Sequence, residues 1–423
     1  MKSIIPFMFL VAEAYALPAD NLEPRQMANL LNSLMGASKT ATVLKTLIPE
    51  YDSKATRAMY MYGPFKLAAS NATHAKTGIS GSGLKLDPNS DTPGGAIEPP
   101  CKDCTVYKAM ANFAYKDGKQ ADVANGVYVH HIILADLSGK MQLMPPVNPP
   151  RCKNGAMISP IPPMDGMGPK PAGGTAKPAG SPGGAGGMAD MQHGGMTKRQ
   201  IGMSVFIGGG GSVGSGNPFS APPAAGSPVK SGYWIGKGGR MQLTSEIVNY
   251  DPVDKDLYLT LDIEWAPGKE ADMYDVGMGA LSADACLEKE KGILHPPKDK
   301  AIVYKGEEWD VIDNGYMMNF TPHIHDGGVN IKVFLNNNQI CEAKAIYGSS
   351  GGSAASLDGS KWETITGYTP CDTPAAIKKG DKIHMTSEYD LTKHRLRPDS
   401  MDAEAEAEGM ALANFIFARP FRK

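Results

Sequence analysis

Residues 256–265 read DLYLTLDIEW. In an extended chain Leu257, Leu259, Leu261, Ile263 and Trp265 fall on one face, and Tyr258, Thr260, Asp262 and Glu264 on the other. A repeat of two is the mark of a half-buried antiparallel strand. IKVFL repeats it with Ile331, Val333 and Leu335, and ALANFIFARPF, from Ala411, supplies a further strand. Gly, Pro, Asn and Asp separate such runs. No strand–helix–strand rhythm appears, and the helical spacing of Met27, Leu30, Leu31 and Leu34 is confined to a short stretch. The pattern predicts an all-β sandwich protein.

A chain of 423 residues is too long for one core and suits two domains. We place their boundary at the Pro267-Gly268 turn, giving a first domain over 37–268 and a second over 269–423. Residues 17–36 read as an N-terminal helical extension. Between about 153 and 230 the chain turns Gly-, Pro-, Ala- and Ser-rich, with several Met and few large aliphatic residues. Such composition buries too little apolar surface to order itself, so a disordered insertion in the first domain is expected.

A net charge of −2 argues against a nucleic-acid partner, because no basic excess exists to neutralise phosphates. Lys2, the apolar run Ile4 to Ala12 and Ala14-Tyr15-Ala16 form a secretory signal pattern over 1–16. No stretch reaches the ~20 apolar residues of a membrane-spanning helix. The expected location is extracellular or wall-associated. Six cysteines suit an oxidising compartment: Cys101, Cys104, Cys152, Cys286, Cys341 and Cys371. Cys341 and Cys371 flank one short β region and are expected to pair. Cys101-x-x-Cys104 reads as a disulfide, a zinc half-site or a redox pair, with secretion favouring the first. Of two glycosylation sequons, Asn71-Ala72-Thr73 lies in a polar stretch and is the expected acceptor; Asn319-Phe320-Thr321 lies on a strand.

Chemistry concentrates in the histidines. Only nine occur, yet His130-His131 stand together in VYVHHIILADL, and His323-x-His325 in NFTPHIHDGG. Residues two apart on a strand share a face, so His323 and His325 present two imidazoles together. Adjacent residues face opposite ways, so His130 and His131 converge on one ion only if a bulge turns one of them. Imidazole suits copper, zinc, iron and nickel, and thioethers favour copper(I). Met188, Met191, His193 and Met196 add M-x-x-M-x-H-x-x-M within the insertion, either a copper(I) collector or drift in a low-complexity segment. Lys198-Arg199 is either a processing site or a chance dibasic pair. His74, His384 and His394 stand alone and read as surface or packing residues. No zinc-protease motif or phosphate-binding loop occurs.

The order HH, HxH and late Met resembles the copper type II, ascorbate-dependent monooxygenases, the peptidylglycine α-hydroxylating and dopamine β-monooxygenase family. With HDGG after the HxH, it looks closer to the divergent branch of secreted fungal and plant stress-up-regulated nodulin-like proteins. The resemblance covers about 100–150 and 232–420. It implies two tandem antiparallel jelly-roll β-sandwich domains facing across a solvent-filled cleft, with one or two copper ions. His130 and His131 match the first copper's adjacent pair. His323, His325 and Met410 match the second copper's ligands, where O₂ would bind and hydrogen be taken from a C–H bond. Ascorbate is the implied reductant.

Departures from the family are specific. Asn249 stands where the family has a third first-site His, so the site is either two-coordinate or recruits another residue such as His295 or His193. Thr321-Pro322 stand in place of a substrate-anchoring Arg, and Leu412 and Asn414 in place of the residues that hold a peptide. A C-terminal-glycine peptide is therefore not implied; the substrate class stays open among small molecules, peptides and wall components. A non-catalytic extracellular copper-binding or scavenging protein is the alternative, and a metal-free structural sandwich a third reading.

Overall fold

The computed structural model describes residues 38–72, 90–137, 145–148, 204–210, 217–220, 229–269, 272–283, 294–348, 353–355, 361–397 and 409–419. The signal pattern, the helical extension, His74, the Met/His motif, Lys198-Arg199, Cys152 and Cys286 lie outside them. Among the described residues the chain is all-β, with a single 3-10 turn at Val123–Asn125. Among them too, no helix is long and apolar enough to cross a membrane.

One ten-stranded sheet runs through both halves of the chain. Its first half includes the central strand Lys255–Pro267, paired antiparallel with Thr56–Leu67 and Cys104–Ala114. The sheet continues through a short parallel pairing, Ser231 with Tyr274 and Gly232 with Asp275. Its second half carries Tyr274–Ser282, Ala411–Arg419 and Gly315–Ile324, all antiparallel. Two smaller sheets cover this long one. A five-stranded sheet with Val127–Asp136 and Met241–Asn249 belongs to the first half. A seven-stranded sheet with Gly328–Leu335, Asn338–Tyr347 and Lys382–Tyr389 belongs largely to the second.

Alternation explains the two cores. Leu257, Leu259, Leu261 and Ile263 are fully buried in the first. Burying each such side chain is worth about 1.5–3 kcal/mol. Ile331 and Val333 enter the second core, as their spacing predicts. In Ala411–Arg419 the odd residues Ala411, Ala413, Phe415 and Phe417 enter the second core, while Ile416 and Ala418 enter the first. That strand is the partition between the sandwiches, so its neighbours sit where the two halves meet.

Two expectations need correction. Glu264 is not solvated: it is fully buried. Its carboxylate accepts backbone N–H bonds from Glu50, Tyr51 and Asp52 at 2.6, 2.8 and 3.0 Å, anchoring the loop that covers this sheet end. The segment expected to be disordered contains two strands, Ser204–Gly210 beside Val127–Asp136 and Asn217–Ser220 beside Cys104–Ala114. Backbone pairing to a neighbouring strand is open to a glycine-rich run without alternation. The expected Cys341–Cys371 disulfide is present, and Cys101 pairs with Cys104.

Replacing Leu261 by Ala is expected to cost about 2–5 kcal/mol, against a negligible change for Val303→Ala at a position 62% exposed. Urea unfolding measures both; equal midpoints would contradict the core assignment.

Candidate metal centre

The His130-His131 strand contains the bulge that the pair requires. Glu246 stands opposite His131, and Ile247 opposite Val129, so His130 is the extra residue. Its effect is visible in the burial: Val127 and Val129 enter the core, and beyond the bulge Ile132 and Leu134 do. The inward parity flips by one, and both imidazoles escape the core together. A second irregularity, between Met318 and Thr321, lies just before the other pair, with Asn319 at φ 49. Beyond it His323 stands opposite Leu412 and so shares its face.

These strands bring all four rings into one cluster. His130 Nε2 lies 3.0 Å from His325 Nε2, and His131 Nε2 lies 3.2 Å from His323 Nε2. Donor atoms of His130, His131 and His323 lie within 4.8 Å of one another. His130, His323 and His325 are buried and His131 is half-buried. The resemblance implied two metal sites facing across a cleft; here the pairs touch, each contact joining one histidine from each half.

Glu246 was not anticipated. It is buried, and one oxygen, Oε2, lies 2.9 Å from His131 Nδ1 and 3.1 Å from His130 Nδ1. The signal was modest: Glu246 is the one charged residue in MQLTSEIVN. Burial pushes its carboxyl up, but the two imidazoles outweigh it and hold it well below the usual carboxylate range. His130 is pushed down to about 4, chiefly by burial and then by His131, with Glu246 opposing. Burial and the three neighbouring rings also hold His323 well below the usual value.

The HDGG turn behind His325 is structural. Asp326 accepts from Trp362 Nε1, Thr364 Oγ1 and the Ile365 N–H at 3.0, 3.0 and 2.9 Å. Gly327 adopts φ 89, and a Cβ there would lie 2.4 Å from Leu391. Tyr389, a second unanticipated residue, is fully buried beneath the pair. Its hydroxyl donates to Met410 O at 2.7 Å and accepts from the Met410 and His325 N–H groups at 3.1 and 3.2 Å. Met410 is thereby fixed beside His325 by its backbone; its side chain is half-buried.

Asn249 is no ligand in this arrangement. Its amide donates to Ala68 O and Val253 O at 2.9 and 2.8 Å and accepts from the Asp251 N–H. It ties a turn, which uses its hydrogen-bonding capacity. His295 is exposed and does not join the cluster; His193 lies outside the described residues. His384 stacks on Phe334 and His394 on Tyr347, as packing histidines do. Leu412 and Thr321 are partly accessible on the His323 face, and Asn414 is buried there.

The donors suit copper. Imidazole is a good ligand for it, burial favours the neutral form of His130 and His323, and a buried carboxylate lies against two of the rings.

No family model matches the chain. It is 21% identical over 307 residues to a protein of Phoma sp. named "Probable copper-dependent oxygenase M1", covering 70% of this chain. The match spans 60% of that relative's length. Among solved structures, one described as PNGF-II in P21 space group aligns with 86% of this chain and 66% of its own, at 9% identity and a TM-score of 0.34. The first likeness suggests a copper-dependent oxygenase-like family; the second is too weak for any inference.

The metal-free chain should lose stability as pH falls. His130 has a folded-state value of about 4 against 6.5 when free. Between these values the unfolded chain binds the extra proton, so this contribution is present above 6.5 and lost as pH falls toward 4. The gap corresponds to about 3 kcal/mol at most. Urea unfolding between pH 7 and 5 should show a shallower slope for His130→Asn; superimposable profiles would contradict the assignment.

Proposed function

We propose that this chain is a secreted copper-dependent oxygenase that hydroxylates a C–H bond, of the ascorbate-dependent, peptidylglycine-monooxygenase-like kind. The observation that carries the reading is the convergence of four imidazoles from both halves into one buried cluster. The copper oxygenase named among its relatives supports it. His130, His131, His323 and His325 would hold the metal, with Met410 as a soft donor beside His325. When bound, copper would supply one-electron transfer and O₂ activation, with ascorbate as the external reductant.

The chain's own residues have separable tasks. The bulge at His130 and the turn at Asp326 orient the two pairs. Burial of three of the four rings keeps water away and favours neutral imidazole, the form with a lone pair to give. Tyr389 holds the Met410 backbone in register with His325. Leu412 and Thr321 offer a substrate an uncharged surface beside His323, with no arginine at the matched positions. This suits an uncharged substrate better than a carboxylate-bearing peptide. Two disulfides agree with an oxidising compartment, and the 1–16 signal pattern supports export. Asn71, exposed in its sequon, is the expected glycan acceptor.

Elemental analysis of the purified full chain, with O₂ uptake in the presence of ascorbate, tests the reading. One or two copper ions per chain and ascorbate-dependent uptake are expected, with the uptake sharply reduced in His323→Ala. Copper without uptake would favour the scavenging alternative. A metal-free protein indifferent to His323→Ala would overturn the proposal.

A further inference from the structure

The contact between Glu246 and the His130-His131 pair has a geometry that hydrogen bonding alone does not explain. Two ring nitrogens, Nδ1 of His130 and Nδ1 of His131, converge on one oxygen at 3.1 and 2.9 Å. The His131 contact qualifies as a hydrogen bond. The His130 contact is a close approach of ring nitrogen and carboxylate without a hydrogen bond, and its buried Nδ1 makes none elsewhere. An unsatisfied buried ring nitrogen is costly to retain. Both separations do match those of neighbouring ligands on one ion. Bonds of about 2.0–2.1 Å at right angles put donor atoms about 2.9 Å apart. The bulge brings the two rings together, and register brings Glu246 opposite His131.

We infer that Glu246 is a metal ligand, closing a three-donor position made of His130 Nδ1, His131 Nδ1 and Glu246 Oε2. This deepens the copper reading above and rests on it. The site belongs to this chain in its composition: a carboxylate stands where the resemblance called for a third imidazole. Ligation through Nδ1 leaves the Nε2–H groups of His130 and His131 directed at His325 and His323, 3.0 and 3.2 Å away. The cross-sandwich contacts are then hydrogen bonds that connect the ion position to the second pair. An anionic oxygen donor favours copper(II) over copper(I). The first-half position would therefore hold the oxidised ion more tightly than an all-imidazole site does.

The test uses the full chain, freed of metal and titrated with copper(II) chloride, followed by electron paramagnetic resonance and calorimetry. Glu246→Gln and Glu246→His are compared with wild type, and circular dichroism confirms folding. Affinity alone does not discriminate, since a carboxylate that merely orients a ligand also costs about 10–100-fold when removed. The nitrogen count does. Wild type should show two imidazole nitrogens, Glu246→His should bind copper and show three, and Glu246→Gln should change the copper hyperfine splitting. His323→Ala should keep the two-nitrogen spectrum. A Glu246→His spectrum with the wild-type nitrogen count, or an unchanged Glu246→Gln spectrum, would overturn the assignment while leaving a copper site standing. Failure of wild type to take up copper would overturn the broader reading instead.

Discussion

Contact between the two histidine pairs is the constraint on which the site depends. His130 meets His325, and His131 meets His323, each ring coming from a different half of the chain. Neither half can build the cluster alone. The long sheet makes it possible: it passes from one sandwich to the other, and Ala411–Arg419 contributes side chains to both cores. Packing around that strand therefore sets the distance between the pairs. A seam near the site adds to it. Trp362 packs against Tyr128 and Tyr250, and Arg397 lies over the Tyr128 ring, 4.7 Å from its centroid.

Much of the scaffold was legible because alternation is a local signal. Leu257, Leu259, Leu261 and Ile263 announced a buried strand, and Ile331 and Val333 another. The HxH pair was legible for the same reason, since its spacing equals the strand repeat. The HH pair posed a condition that the register meets at His130. Its clue was already in the sequence: Val127 and Val129 keep one parity, while Ile132 and Leu134 keep the other.

What was not legible depends on contacts remote in sequence. Glu246 looks like any charged strand residue until a strand more than a hundred positions earlier pairs with it. Tyr389 gives no sign that its hydroxyl will knit His325 to Met410. Glu264 occupies an outward position of an alternating strand and is buried by a loop some two hundred residues away. The strands at Ser204–Gly210 and Asn217–Ser220 escaped because composition reports side-chain burial, whereas pairing there is a backbone matter.

The central claim is that the two pairs form one connected unit. A double-mutant cycle on copper affinity tests it most directly, using His131→Ala, His323→Ala and the double variant in the full chain. Residues in contact couple by about 0.5–3 kcal/mol, while independent sites add. The account predicts clear non-additivity, the second substitution costing much less once the first is made. Additive losses would contradict it, and would mean two separate sites that happen to lie close together.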